Sequence, residues 1–362
     1  MHLSSVTTLE TRPDPTQSDA LQAWRWPGKI YLSPIQTGLI NVSFAISTVK
    51  GGTPFAVLQR LNTEIFTDAI NTDIAAVTHR LQQKGLLTPT LMETKNRSLF
   101  HIDEKGQTWR CMTWVGQRTI SKLTSAREAM SAARLVAQFH IALHDFDWTF
   151  HFSRPDAHNT ALHMTHLQNT LFTHKRHRMY SRTLPIVERI LDHWEHYQGP
   201  PPLPKRLIHG DLKISNVRFN GSKAVSLIDL DTIGFSTLDV ELGDALRSWC
   251  NTASENSEQA HLDVDIFEAA MRGYARMART GPPVLEAEWN SIVPGFERIA
   301  LELAARFARD AMEEKYFGWN PKYGTRGEHN LLRAKGQYSL ALAIHNRRQE
   351  LESLLNKSRK AR

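Results

Sequence analysis

Short apolar runs punctuated by glycine occupy the first third of the chain, and long runs with apolar residues three or four apart occupy most of the remainder. Ile30-Tyr31-Leu32, Asn41 to Ser47 and Phe55 to Gln59 read as strands, with Gly51-Gly52 as a hairpin turn, so a twisted antiparallel sheet is expected. Trp109 to Val115 reads as a further buried strand running into Gly116. Ser125 to Leu143 has Ala126, Met130, Ala133, Ala137 and Ile141 on one face, with Ser125 as N-cap and Glu128 completing a capping box, and it predicts a core helix. Helices are also expected over Leu262 to Arg279, over Glu286 to Lys315 and from about His329. Arg206-Leu207-Ile208 and Ala224 to Ile228 read as two short buried strands. A turn at Asn220-Gly221 folds the intervening segment back, so that their ends lie side by side. The pattern is α+β, a small mainly-β part followed by a larger mainly-α part.

Length and composition narrow the class. The chain has 362 residues, 41% of them hydrophobic, enough to bury a large core and to form two lobes. It contains no run of 18 apolar residues, and its N-terminus is polar through Pro15, so a cytoplasmic protein without a membrane partner is expected. The two cysteines, Cys111 and Cys250, supply neither a disulfide framework nor a zinc set. A net charge of +7 suits an anionic ligand, but no basic stripe alternates with aromatics as nucleic-acid binding requires. Residues 1–24 read as an N-terminal arm, and Lys357 to Arg362 as a solvated basic tail. His140 and His144, four apart, lack a nearby acid or cysteine to complete a metal site. The histidines between 151 and 198 repeat no ligand spacing, so both groups read as ordinary polar residues.

The candidate chemistry lies at His209-Gly210-Asp211, with Asn216 five positions after the acid and Ile228-Asp229-Leu230-Asp231 closing the segment. Phosphoryl transfer from ATP to a hydroxyl needs a carboxylate to accept the hydroxyl proton and oxygen ligands for Mg²⁺ on the phosphates. Asp211 suits the first role; Asn216 and Asp229 suit the second, with Asp231 as a further metal-side or acceptor-side candidate on the same strand face. The protein-kinase catalytic loop H-R-D-x-x-x-x-N has the same interval.

At these residues the chain resembles the aminoglycoside phosphotransferase and choline kinase superfamily, and within it the N-acetylhexosamine 1-kinase branch. The similar pieces are His209 to Asn216, Ile228 to Thr232, Val57 to Asn62, Gly243 to Ser248 with Asn251 to Ala253, Arg306-Phe307-x-x-Asp310 and His329 to Gln337. The resemblance implies a bilobal protein-kinase-like fold, with an N-lobe over 25–115 and a C-lobe over 116–362. It also implies ATP and Mg²⁺ as cofactors and a small-molecule hydroxyl as acceptor. Gln36 to Asn41 would lie over the phosphates, with Gly38 and Asn41 as contacts. Gln59 falls where a strand-three Lys or Arg is usual, leaving either Arg60, reaching through a bulge, or a neutral amide. Asp68 and Asp73 are the substitutes for the usual helix acid. Met112 to Val115, including Trp114, would be the hinge meeting adenine, and Asp244 and Arg247 would border the acceptor pocket. Arg154 to Thr160 is similar to a branch segment, with Ala157 where an aromatic is usual. The sharpest expectation is phosphorylation of an N-acetylhexosamine at its anomeric hydroxyl. Amino-alcohol, homoserine and aminoglycoside acceptors stay open, as does a non-catalytic nucleotide-binding scaffold.

Overall fold

A computed structural model describes residues 19–35, 40–154 and 156–361. They divide into two compact units. The first holds the described residues through His79, Pro89–Val115 and Thr149–Phe152; the second holds Arg80–Thr88, Gly116–Trp148 and the described chain from Ser153 onward.

The first unit is built on five strands: β1 (Tyr31–Ile35), β2 (Val42–Ser47), β3 (Ala56–Arg60), β4 (His101–Ile102) and β5 (Thr108–Thr113). They pair antiparallel in the order β1-β2-β3-β5-β4. Alternation puts Leu58 and Ala56 of β3 into the core with Phe44, Ile46, Trp109 and Cys111. Residues 19–24, expected to be part of a loose arm, instead form a short 3₁₀ turn (Asp19–Ala23) that buries Ala20 and Trp24 in this core. The Trp24 indole donates to the Met92 carbonyl at 2.7 Å, which satisfies its one donor while the ring stays dry. Helix α1 (Ile70–Gln83) follows β3 in sequence and is shared by the two units, which divide at His79 and Arg80.

In the second unit the helices are α2 (Ala126–Leu143), α3 (Thr160–Thr173), α4 (Tyr180–His196), α5 (Leu238–Trp249), α6 (Val264–Ala278), α7 (Glu286–Glu313), α8 (Arg326–Asn346) and α9 (Arg348–Lys360). Helix α7 is central, with α3, α4, α5 and α8 packed around it, while α2 packs on α6. Helices α3 and α4 lie in the histidine-rich stretch for which no element was expected. The basic tail ends helix α9, whose Leu351 and Leu355 are buried; Lys357 and Lys360 are exposed as expected, while Arg359 pairs with Glu286. Ser125 caps α2 as expected, its hydroxyl accepting from the Glu128 N–H, but the Glu128 carboxylate turns to Thr124 and Arg118 rather than closing the box.

Two short ribbons complete the unit. Strands β7 (Val217–Asn220) and β8 (Lys223–Leu227) form the hairpin expected at Asn220-Gly221, whereas β6 (Lys205–Ile208) pairs with β9 (Gly234–Thr237). The ends of the two expected strands still meet, because His209 Nε2 lies 2.9 Å from the Ile228 carbonyl. Helix α5 sits at backbone distance from α7: a Cβ on Gly295 would lie 2.3 Å from the Asp239 carbonyl, and one on Gly243 2.7 Å from the Gly295 carbonyl.

Candidate active site

One face of α5 shapes the loop that follows β6. Glu241, Asp244 and Ser248 are spaced three and four apart, which stacks them along one side of a helix. Glu241, fully buried, accepts the His209 N–H at 2.9 Å on one oxygen and the Gly210 N–H at 2.9 Å on the other. Burial would raise this carboxyl, but His140, at 3.1 Å, and the loop amides outweigh it and keep it lowered. Ser248 accepts the Ile214 N–H at 2.9 Å, and the neighbouring Trp249 indole donates to the Leu212 carbonyl at 2.9 Å. Four loop backbone groups are thereby fixed by a single helix.

The loop's own residues finish the turn. Gly210 has φ +79°, and a Cβ there would come within 2.6 Å of the Thr232 carbonyl, so only glycine fits. His209 donates through Nε2 to the Ile228 carbonyl, and this tautomer, assigned from its partners, leaves Nδ1 to accept from the Asp211 N–H at 3.3 Å.

Asp211, Lys213, Asn216 and Asp229 converge. Lys213 Nζ lies 2.6 Å from Asp211 Oδ2 and 3.9 Å from Asp229 Oδ2. Asn216 Nδ2 donates to the Asp211 backbone carbonyl at 2.8 Å and to Asp211 Oδ2 at 3.0 Å, so the amide oxygen is the Asn216 atom left for other partners. Burial would raise the Asp211 carboxyl, but the adjacent ammonium holds it below the ordinary range. Asp229 goes the other way, raised chiefly by desolvation, which Lys213 opposes and the charges of Asp231 and Asp211 reinforce. Asp229 is not a strand residue: β8 ends at Leu227, Asp229 sits at φ 66°, ψ 58°, and Leu230–Thr232 form a 3₁₀ turn. The shared strand face expected for Asp229 and Asp231 therefore does not exist. Asp231 is buried, whereas the Asp229 side chain is 40% exposed.

A second group of charges meets the loop through His158. Its Nε2 lies 3.1 Å from the Gly210 carbonyl and its Nδ1 3.1 Å from Glu302 Oε1. Both partners are acceptors, so both ring nitrogens must donate. Burial favours the neutral ring, yet the Glu302 charge outweighs it and holds His158 raised, while Glu302 itself is lowered to about 2 despite its burial. Arg306 lies 3.8 Å from the same Glu302 oxygen and lines a cavity of about 340 Å³ with Arg154, Arg309, His163, Asp156 and Tyr316.

With this geometry in hand, comparison with known proteins gives a consistent answer. The profile of the phosphotransferase enzyme family (APH) matches residues 32–290. The chain belongs to this family. Its fold is similar to that of an aminoglycoside phosphotransferase from Alicyclobacillus acidocaldarius, with TM-score 0.60 and 15% identity over 98% of this chain and 99% of that one. It is also similar to a microcompartment-associated aminopropanol kinase, with TM-score 0.57 and 15% identity over 93% and 97%. A choline kinase from Cryptosporidium parvum gives TM-score 0.57 and 12% identity over 90% and 93%. The α+β, protein-kinase-like fold and the phosphotransferase class follow, and the non-catalytic scaffold is set aside. No described helix is long and apolar enough to cross a membrane.

The remaining expected residues of this phosphotransferase divide sharply. Gly38 lies outside the described residues. Asn41 accepts the Asn62 N–H at 3.0 Å. Gln59 is engaged inside the sheet, its amide donating to Ser43 Oγ at 3.0 Å and accepting from Arg110 Nε at 2.9 Å. Strand β3 keeps continuous register with β2 and β5, so the bulge that would bring Arg60 to the Gln59 face is absent. Asp68 accepts from Thr108, and Asp73 accepts the His151 and Phe152 N–H groups. Met112 is buried opposite Val57, and the Trp114 N–H donates to the Phe55 carbonyl at 2.8 Å. Asp244 and Arg247 form a buried ion pair at 2.8 Å, leaving Asp244 Oδ2 buried with no hydrogen-bond partner among the described residues. Asp310 and Asn330, from two of the branch-like pieces, meet at 2.9 Å. Sequence reasoning missed Glu241, Lys213, His158 and Glu302; the three-and-four spacing along α5 was the available signal for the first.

Proposed function

We propose that this phosphotransferase transfers the γ-phosphoryl group of ATP, with Mg²⁺, to a hydroxyl of a small polyhydroxylated molecule, most sharply an N-acetylhexosamine at its anomeric hydroxyl. The observation that carries the reading is Asp211: one carboxylate oxygen held by Lys213 and Asn216, on a loop fixed by Glu241. Asp211 would orient the acceptor hydroxyl and take its proton as oxygen attacks the γ-phosphorus. The new O–P bond forms while the bond to the β-phosphate oxygen breaks, releasing ADP. With its carboxyl lowered, Asp211 serves orientation more than early proton removal. Lys213 lies where a cation can offset phosphoryl charge.

The donor set fits Mg²⁺: two carboxylates, Asp229 and Asp231, and the Asn216 amide oxygen are hard ligands, and the Asp229 carboxyl, raised first by desolvation and then by the neighbouring acids, would be relieved by a bound cation. Bound there, Mg²⁺ would neutralise phosphate charge. Asp244 Oδ2, a buried acceptor without a donor among the described residues, suits a substrate hydroxyl.

The cavity beside Arg306 is a candidate acceptor site. Its volume is that of a small-ligand site. Its wall sets Arg154, Arg306 and Arg309 against Asp156, Asp310 and Glu313, with Arg309 paired to Glu313, so an acceptor would find both donors and acceptors there.

The test is ADP release from purified protein with Mg·ATP and a panel of acceptors. Turnover of an N-acetylhexosamine and its 6-deoxy analogue, with an inert methyl glycoside, supports the anomeric reading. Turnover of the methyl glycoside but not of the 6-deoxy sugar moves the reaction to another hydroxyl. Turnover confined to amino alcohols or aminoglycosides would overturn the acceptor class.

A further inference from the structure

We infer that His193, Glu297 and His345 form a divalent-metal site, with Zn²⁺ as the ion their chemistry fits. The three residues come from α4, α7 and α8 and bring two imidazole nitrogens and a carboxylate oxygen within 4.8 Å of one another. His193 Nε2 lies 2.7 Å and His345 Nδ1 3.0 Å from the same oxygen, Glu297 Oε1. The second oxygen, Oε2, is buried and has no hydrogen-bond partner among the described residues. Glu297 is 2% exposed and His193 9%, whereas the His345 side chain is 55% exposed.

The chemistry of the group selects the ion. Two imidazoles and one carboxylate, with one side open to water, are a zinc ligand set with a free fourth position; Mg²⁺ and Ca²⁺ prefer oxygen throughout. A tetrahedral centre with bonds of about 2.0–2.2 Å holds its ligand atoms roughly 3.4 Å apart. On loading, the His193 contact therefore lengthens by about 0.7 Å and the His345 contact by about 0.4 Å, the first by adjustment of the Glu297 carboxylate and the second by rotation of the exposed His345 ring. Each coordinating nitrogen gives its proton to the opposite ring nitrogen or to water, and the ion replaces two hydrogen bonds to one buried oxygen.

The site is separate from the Asp211 loop, and water would fill its fourth position. It ties α4 and α8 to α7 about one and a half turns before Glu302, the residue that holds His158 against the loop. No local sequence pattern announces it, because the partners of Glu297 are 104 residues before it and 48 after it.

Titration of the full-length, chelator-treated protein with Zn²⁺ by calorimetry, with Co²⁺ as the spectroscopic probe, tests the site. One equivalent is expected at micromolar affinity or tighter, with a tetrahedral Co²⁺ spectrum. His345→Ala, at an exposed position that leaves folding intact, should weaken it on the order of 100-fold. His177→Ala, which removes the most comparable surface histidine pair, should leave it unchanged. Zn²⁺ at 100 times its dissociation constant should raise the Tm of the parent by about 3–4 °C and that of His345→Ala by much less. Absence of a tight equivalent, its persistence in His345→Ala, or its loss in His177→Ala overturns the site.

Discussion

The loop around Asp211 and the strand around Gln59 both place polar side chains among apolar neighbours, and they use them in opposite ways. In the loop, backbone groups are held from outside by Glu241, Ser248 and Trp249, so the ends of Asp211, Lys213 and Asp229 are left to face one another. In β3, Gln59 joins Ser43 and Arg110 across three neighbouring strands, and its polar atoms serve the sheet itself. A polar residue becomes available for chemistry when something else carries its structural duties. That is why the loop, and not the strand, carries the proposed reaction.

Three substitutions bear on this contrast. Removing the outside support should have the largest effect. Glu241→Ala leaves two loop amides and His140 without their buried carboxylate, and a loss of about 3–5 kcal/mol is expected in denaturant unfolding, together with most of the activity. Near-wild-type stability in this variant would erase the distinction between loop and strand.

A smaller effect, read in a pH profile, is expected from His158→Gln. His158 is raised above its usual 6.5, so the ion pair with Glu302 and the bond to Gly210 are fully present below that value and are lost as pH rises through the folded value. Glu302 adds the opposite limb, lost only as pH falls toward about 2. Wild-type kcat/KM should therefore fall on the alkaline side above pH 6.5, and His158→Gln should lose that limb and about tenfold in activity. An unchanged alkaline limb in the variant would remove His158 from the loop's support.

The smallest effect is expected at the strand. Gln59→Ala breaks two hydrogen bonds inside the sheet and should cost about 1–2 kcal/mol of stability, with little change in the KM for ATP. A large rise in that KM with unchanged stability would place the amide on the nucleotide instead.

The sequence made some of this visible and hid the rest for identifiable reasons. His209-Gly210-Asp211 and Asn216 are legible because a short loop converts spacing directly into proximity. The relation of Asp229 to Asp231 was misread because strand alternation was carried past Leu227, where the backbone turns left-handed at Asp229. Helices α3 and α4 were hidden by a histidine-rich composition that reads as polar, although Met164, Leu167, Ile186 and Ile190 line their buried faces. Glu241 was overlooked because a buried acid on an apolar helix has no local mark of its partner, which lies 31 and 32 residues away. The polar duties of Gln59 depend on Arg110, 51 residues on, and no pattern within β3 foretells them.

The most direct measurement is single-turnover phosphoryl transfer by Asp211→Asn, paired with nucleotide binding by the same protein. The side chain keeps its shape but loses the charge that holds Lys213 at 2.6 Å and, in the proposed reaction, would accept the hydroxyl proton. The expected result is a rate lower by about 10²–10⁴ with ATP affinity within a few-fold of wild type. A wild-type rate, or a loss explained entirely by weaker ATP binding, would contradict the role assigned to Asp211.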